Sequence, residues 1–130
     1  MNSGGRVLIL EDEPILGFAL EDMLCEIGDW EVELCTRLEE AHSFLNEGLP
    51  VLAILDVNIH GQLSYPIADR LLAAGVPYIF ATGYGDLTHP QVHLEAITVT
   101  KPYSLAHIAD AVGAAVPEGI KGAFSSGREE

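Results

Sequence analysis

The chain has 130 residues, of which 48% are hydrophobic and 20% charged, and a formal net charge of −14 at pH 7. This length predicts one globular domain with a well-filled core, because two ordinary domains need a longer chain. The negative charge argues against a direct nucleic-acid partner, which needs clustered Lys and Arg. No run approaches the roughly 18 apolar residues of a membrane helix, and no cleavable signal pattern precedes the first strand, so we expect a cytoplasmic protein.

The order of apolar runs along the chain predicts an α/β fold. Strands are expected at about 6–11, 31–35, 51–56, 77–82 and 97–100. Proline, glycine and capping residues predict the intervening helices, from Pro14 to Gly28, from a Thr36 and Glu39 capping box to Gly48, from Pro66 to Gly75, and from Ser104 onward. Strands that alternate with helices imply a doubly wound five-stranded parallel sheet with right-handed crossovers.

Two segments have weaker patterns. Residues 83–96, GYGDLTHPQVHLEA, contain two glycines and Pro90, so we expect the fourth helix to be short or mobile. Residues 117–130 have linker composition and are expected to form a flexible tail, which leaves 1–116 as the folded domain and provides no output domain. The five histidines are scattered, and we expect them on the surface.

Acidic residues follow two of the predicted strands. Glu11 and Asp12 come after VLIL, and Asp56 comes after VLAIL, whose unbroken apolar run predicts a strand buried on both faces. The first and third strands should end at the same sheet edge, where such folds bind ligands. Two like charges about 4 Å apart repel by roughly 4 kcal/mol at an effective dielectric of 20, so this group favours a hard cation such as Mg²⁺. Taken alone, an aspartate such as Asp56 more often opens a turn or caps a helix.

Two further polar residues stand at strand ends. Lys101 follows the fifth strand, and its ammonium group could be a counter-charge for the acidic residues and bind a phosphoryl oxygen. Thr82 ends the run YIFAT and offers a hydroxyl at the same edge. Each residue also has an ordinary interpretation, as a lysine in solvent and as a β-branched strand residue.

The order of these strand-end residues resembles the receiver domain of two-component response regulators over nearly the whole chain. The shared pattern is an acidic pair after the first strand, aspartate after the third, threonine after the fourth and Lys-Pro after the fifth. The resemblance implies that Asp56 is the phosphoacceptor and that Asp12 binds Mg²⁺ directly. It also implies that Glu11 assists through water and that the Asn58 backbone carbonyl completes the metal site.

The same resemblance covers the last two strand ends. It implies that Lys101 and Thr82 contact the phosphoryl oxygens and that the Lys101-Pro102 peptide bond is cis. The stretch PYIFATGYG, residues 77–85, is similar to the Pro-Phe-x-Phe-Ala-Thr-Gly-Tyr signature of a subgroup of stand-alone bacterial receivers, whose fourth helix is reduced or mobile. Members of that subgroup commonly work with histidine kinases of a distinct dimerisation type.

Two positions depart from the family pattern. Glu11 stands where the first acidic residue is usually Asp, which could shift the outer ligands of the metal. Thr98 stands three places before the lysine, where the family has a switch Tyr or Phe, so the usual threonine–aromatic switch cannot operate unchanged. Tyr84 or Tyr103 could substitute for the missing ring.

These features together predict a phosphoprotein of two-component signalling rather than an enzyme. Asp56 would accept a phosphoryl group from a histidine kinase or histidine phosphotransfer protein, with slow self-catalysed phosphorylation and dephosphorylation. A downstream protein would bind the last strand and helix. Two alternatives are a phosphorylation-independent adaptor, which Thr98 favours, and a Mg²⁺-dependent aspartyl phosphohydrolase. The hydrolase often has a second aspartate where this chain has Asn58.

Overall fold

The computed structural model describes residues 5–83 and 89–116. The strands in chain order are β1 Arg6–Leu10, β2 Glu31–Cys35, β3 Leu52–Asp56, β4 Asn58–Ile59, β5 Gln62–Leu63, β6 Tyr78–Thr82 and β7 Ile97–Thr100. The α-helices are α1 Pro14–Ile27, α2 Leu38–Glu47, α3 Tyr65–Ala74 and α4 Leu105–Ala115, and a short 3₁₀ turn spans Gln91–His93.

The main sheet has the strand order β2-β1-β3-β6-β7, and all its paired strands are parallel. Strand β3 is central, and every residue from Leu52 to Asp56 is buried. A strand covered on both faces needs apolar side chains in both directions, which explains its unbroken apolar run. The predicted doubly wound parallel sheet is therefore confirmed, with strand bounds within one residue of those expected.

Helices cover the sheet in two layers. On one face, α1 and α4 pack over a core that includes Val7, Ile9 and Ile54. On the other face, α2 and α3 pack over a core that includes Leu8, Leu55 and Phe80. Neighbouring residues of each strand belong to opposite cores because side chains alternate across a strand. This arrangement leaves the carboxyl ends of β1, β3, β6 and β7 at one edge of the sheet.

Helix ends agree with the sequence in three of the four cases. Helix α1 has Pro14 in its first turn and ends before Gly28, and Ser104 caps α4 by accepting a hydrogen bond from the His107 backbone N–H at 3.2 Å. The capping box predicted for α2 is wrong. Arg37 is the N-cap of that helix and makes no side-chain cap.

Thr36 pairs with a different glutamate from the one expected. The Thr36 backbone N–H donates to Glu40 Oε1 at 2.8 Å, and no bond joins Thr36 to Glu39 within the described residues. The carboxylate one position further along the helix reaches back to the threonine because the chain remains extended through Arg37. The residue types thus predict a helix start here correctly, but they predict the wrong partner for Thr36.

The helical element described before β7 is short, in agreement with the expected short fourth helix. Among residues 89–96 the only helical element is the 3₁₀ turn, while residues 84–88 and the predicted tail 117–130 lie outside the described residues. The antiparallel hairpin of β4 and β5 was not predicted. No helix in the described part of the chain is long and apolar enough to cross a membrane.

Candidate functional site

The predicted acidic residues meet at the carboxyl edge of the sheet. Asp56 is the last residue of β3, and Glu11 directly follows β1, with its backbone N–H bonded to the Cys35 carbonyl at 3.0 Å. One carboxylate oxygen each from Glu11, Asp12 and Asp56 lie within 4.8 Å of one another. Glu11 is 2% exposed and Asp56 is 8% exposed, so both carboxyl groups are largely withdrawn from water.

Lys101 joins two of these carboxylates. Its Nζ donates to Glu11 Oε1 at 2.9 Å and to Asp56 Oδ2 at 3.0 Å. Its backbone N–H donates to the Thr82 carbonyl at 2.8 Å, and the following peptide bond to Pro102 is cis, as the resemblance implied. The end of β7 is thereby fixed to the end of β6, and the ammonium group lies over the acidic residues.

Burial and charge shift the ionisation of this group. Burial is the main cause that raises the pKa of Glu11 to about 7, and the charge of Asp56 acts in the same direction, whereas Lys101 opposes it. Burial works against the charged form of Lys101, but its hydrogen bonds to Glu11 and Asp56 outweigh burial and raise its pKa. Near neutral pH, the charged Lys101 therefore lies beside a Glu11 carboxyl group that is only partly ionised.

The β4–β5 hairpin completes the edge around Asp12. The His60 backbone N–H donates to Asp12 Oδ2 at 2.9 Å, and His60 has a positive φ of 53° at the turn. Asn58 Oδ1 accepts a hydrogen bond from the Gly61 backbone N–H at 2.8 Å, which stabilises this turn. The sequence analysis identified Asn58, but it did not show that the hairpin backbone binds Asp12.

Thr82 and the predicted switch substitutes have different surroundings. Thr82 is buried at the end of β6, two positions beyond Phe80. Tyr103 packs against the core under α1 and α4, and Tyr84 lies outside the described residues. Thr98, which lacks an aromatic ring, is instead bonded through Oγ1 to His89 Nε2 at 3.0 Å.

The expectation that all histidines lie on the surface is wrong for His93. This residue is 1% exposed and makes hydrogen bonds through both ring nitrogens, to Tyr78 and to Asp69. Its partners are 15 and 24 residues away in sequence, so no local pattern predicts its burial. A histidine in the interior is stable when both nitrogens are satisfied in this way.

We expect the metal-free protein to lose stability as pH rises from about 4.5 to 7. The folded-state pKa of Glu11 is about 7, above the ordinary value of 4.5, so the folded state retains a proton that the unfolded state has released. Linkage limits this effect to about 3 kcal/mol. Urea unfolding in EDTA at pH 5 and pH 7.5 measures it, and Glu11→Gln should flatten the difference. Equal pH dependence in both proteins would contradict the prediction.

Comparisons with known proteins agree on one family. The described fold is that of a response-regulator receiver domain, and the chain belongs to that family. The chain is 32% identical to SdrG from Sphingomonas melonis Fr1, with a TM-score of 0.76 over 88% of this chain and 98% of that one. SdrG has also been solved in a BeF₃-activated conformation, from Pseudomonas melonis Fr1, with 32% identity and a TM-score of 0.71 over 84% of this chain and 93% of that one.

Two further proteins are similar to this chain, one in sequence and one in fold. The sensory transduction protein LytT of Bacillus subtilis (strain 168) is 30% identical over 102 residues, which are 75% of this chain. This chain spans only 42% of the length of LytT. The regulator TrrA from Thermotoga maritima, solved with Mg²⁺-BeF, is 24% identical with a TM-score of 0.74 over 88% of this chain and 98% of that one, a likeness of fold. No protein-family model matches the chain.

Proposed function

We propose that this chain is a phosphoryl-accepting receiver of a two-component phosphorelay in the cytoplasm, with Asp56 as the acceptor. The observation that carries the proposal is the bridge from Lys101 Nζ to Asp56 and Glu11, at 3.0 and 2.9 Å, beside the third carboxylate of Asp12. The Lys101 ammonium group orients the Asp56 carboxylate and provides a positive charge for an incoming phosphoryl group.

The acidic group also fits Mg²⁺. Three carboxylate oxygens within 4.8 Å of one another are a donor set that this hard cation takes. Asp12 and Asp56 would bind it directly, with Glu11 in an outer position and the Asn58 carbonyl as a further ligand. When bound, Mg²⁺ neutralises charge on the transferred group. The BeF₃-activated relative SdrG and the Mg²⁺-BeF complex of TrrA support this proposal.

The protein's own residues account for the transfer step. An Asp56 carboxylate oxygen attacks the phosphorus of a phosphohistidine on the kinase or phosphotransfer partner, and an O–P bond forms as the P–N bond breaks. The imidazole leaves with the electron pair and takes up a proton. Lys101 Nζ moves its hydrogen bonds to the phosphoryl oxygens, and the Thr82 hydroxyl donates to another. Slow autophosphorylation and hydrolysis would follow from the same geometry.

One alternative function has a specific observation in its favour. We call the group of Glu11, Asp12 and Asp56 the acidic edge. Lys101 already neutralises part of its charge, so the folded domain could work as an adaptor that binds a partner without phosphorylation. The phosphohydrolase alternative gains no such support, because the position two residues after Asp56 is Asn58 rather than a second aspartate, and Asn58 Oδ1 is bonded within the hairpin turn. In the receiver that we propose, the downstream protein contacts β7 and α4.

Binding of beryllofluoride with Mg²⁺ tests the proposal directly. We expect bound ¹⁹F resonances that require Mg²⁺ and disappear with EDTA or with Asp56→Asn. Asp110→Asn, an exposed α4 residue, is the matched control and should retain them. If wild-type protein at millimolar Mg²⁺ gives no bound fluoride signal, the adaptor function replaces the phosphoryl-accepting one.

A further inference from the structure

A set of aromatic and histidine side chains fills the space in front of β6 and β7. We call it the histidine cluster, and its members are Tyr65, Asp69, Tyr78, Phe80, His89, His93 and Thr98. It joins α3, β6, the segment before β7 and β7 itself. No part of the proposed phosphoryl transfer uses these residues, although two of the strands concerned end at the acidic edge.

His93 is the fixed part of the cluster. Its Nε2 lies 2.7 Å from Asp69 Oδ1 and its Nδ1 lies 2.6 Å from Tyr78 Oη, while its ring stacks on Tyr65 with 5.8 Å between centroids. The carboxylate can only accept, so Nε2 carries a proton. A buried ring held at both nitrogens by α3 and β6 cannot turn without losing both bonds.

His89 is held differently, between two hydroxyl groups. Tyr65 Oη lies 2.7 Å from Nδ1 and Thr98 Oγ1 lies 3.0 Å from Nε2, and the ring packs on Phe80 at 4.4 Å between centroids. Burial, assisted by the nearby His93, lowers the pKa of His89 and thereby favours the neutral ring. Both partner hydroxyls can donate or accept, which lets this ring change its hydrogen bonds at little cost.

The contacts of His89 lie on the same two strands as the candidate phosphoryl ligands. Phe80 is paired with Thr98 in the sheet, and Thr82 lies two residues beyond Phe80 on the same face of β6, about 7 Å along the strand. Thr98 is three residues before Lys101, whose backbone N–H is bonded to the Thr82 carbonyl. If Thr82 and Lys101 move toward a phosphoryl group, the ends of β6 and β7 must move with them. Side chains of these two strands contact the His89 ring.

We propose that His89, placed between Tyr65 and Thr98, transmits the state of the acidic edge to α3 and thereby does the work of the aromatic side chain that position 98 lacks. This inference rests on the proposed function. When Asp56 carries a phosphoryl group, the Thr98 bond changes, the His89 ring moves on Phe80, and the bond to Tyr65 carries the change to the start of α3. His93 keeps its two bonds and takes no part in this transmission.

Histidine-selective NMR of the full chain tests this coupling. Mg²⁺ and beryllofluoride are added while ¹⁹F spectra report whether the acidic edge is occupied. We expect the ring resonances of His89 to shift with the bound fraction and those of His93 to remain within linewidth of their starting positions. Bound fluoride with an unchanged His89 overturns the coupling and leaves the proposed function standing. Absence of bound fluoride overturns both.

Two pairs of matched variants separate coupling from structure. Thr98→Val removes the hydroxyl that His89 contacts, and Thr100→Val makes the same change two residues along β7. Tyr65→Phe cuts the His89 bond, and Tyr78→Phe cuts the His93 bond. Thr98→Val and Tyr65→Phe should bind beryllofluoride within twofold of wild type yet lose at least half of the shift at α3 amides. Their controls should keep it. Equal α3 responses in all variants that fold would overturn the inference.

Discussion

Asp56→Asn is expected to lower phosphorylation of the chain by at least about 100-fold. The amide oxygen of asparagine is a poor nucleophile, and knocking out a nucleophile typically costs several powers of ten in rate. The change is nearly isosteric, and the backbone of residue 56 stays paired with Ala81 of β6, so the fold should persist. Labelling with a small phosphate donor such as acetyl phosphate, followed by phosphate-affinity electrophoresis, measures the adduct.

The adduct itself provides the controls for this experiment. An acyl phosphate is cleaved by hydroxylamine, whereas phosphoserine and phosphothreonine are not, so the labelled wild-type band should disappear on that treatment. Asp110→Asn, with the same change on the exposed face of α4, should label at the wild-type rate. Hydroxylamine-sensitive labelling of Asp56→Asn at the wild-type rate would show that another carboxylate is the acceptor.

Lys101→Met is expected to slow phosphorylation by about 100-fold and to change stability in a pH-dependent way. The ammonium group is the shared partner of Glu11 and Asp56, and its loss leaves two largely buried carboxyl groups without it. Removing one partner of a buried ion pair costs 3 to 5 kcal/mol, and the 20% exposure of Lys101 reduces this to roughly 2 kcal/mol at pH 8. At pH 5 Glu11 is protonated, so the loss should be smaller.

Urea unfolding at both pH values, with EDTA present, measures that difference. Lys121→Met removes the same charge from the chain and is the control for net charge. Saturating Mg²⁺ should restore part of the stability of Lys101→Met, because the bound ion can replace the lost positive charge at the acidic edge. A destabilisation that is the same at pH 5 and pH 8 would show that Lys101 contributes packing rather than charge.

The strand ends of this fold could be predicted because a strand buried on both faces requires an apolar run that can be recognised in the sequence. A central strand covered on both faces must be apolar throughout, so Asp56 stands out at the end of its run. Parallel strands also bring their carboxyl ends to one edge, which placed Glu11, Asp12 and Lys101 together without any coordinates. The sequence could not show that Lys101 bridges two carboxylates, since that depends on side-chain conformation.

Some of the remaining features depend on contacts between distant residues, and others on local geometry that residue types do not determine. His93 meets Asp69 across 24 positions, and Lys101 meets Glu11 across 90. The β4–β5 hairpin has strands of two residues each, too short for an alternating pattern to be recognised. The partner of Thr36 depended on which glutamate of α2 could reach back, a choice that residue spacing alone does not make.

The position of Asp56 also limits which donors can reach it. Its backbone belongs to the central strand and is paired with β6, so the acceptor cannot travel toward a partner. Residue 56 is only 8% exposed, so in the function that we propose the donor must bring its phosphorylated group to the end of this strand.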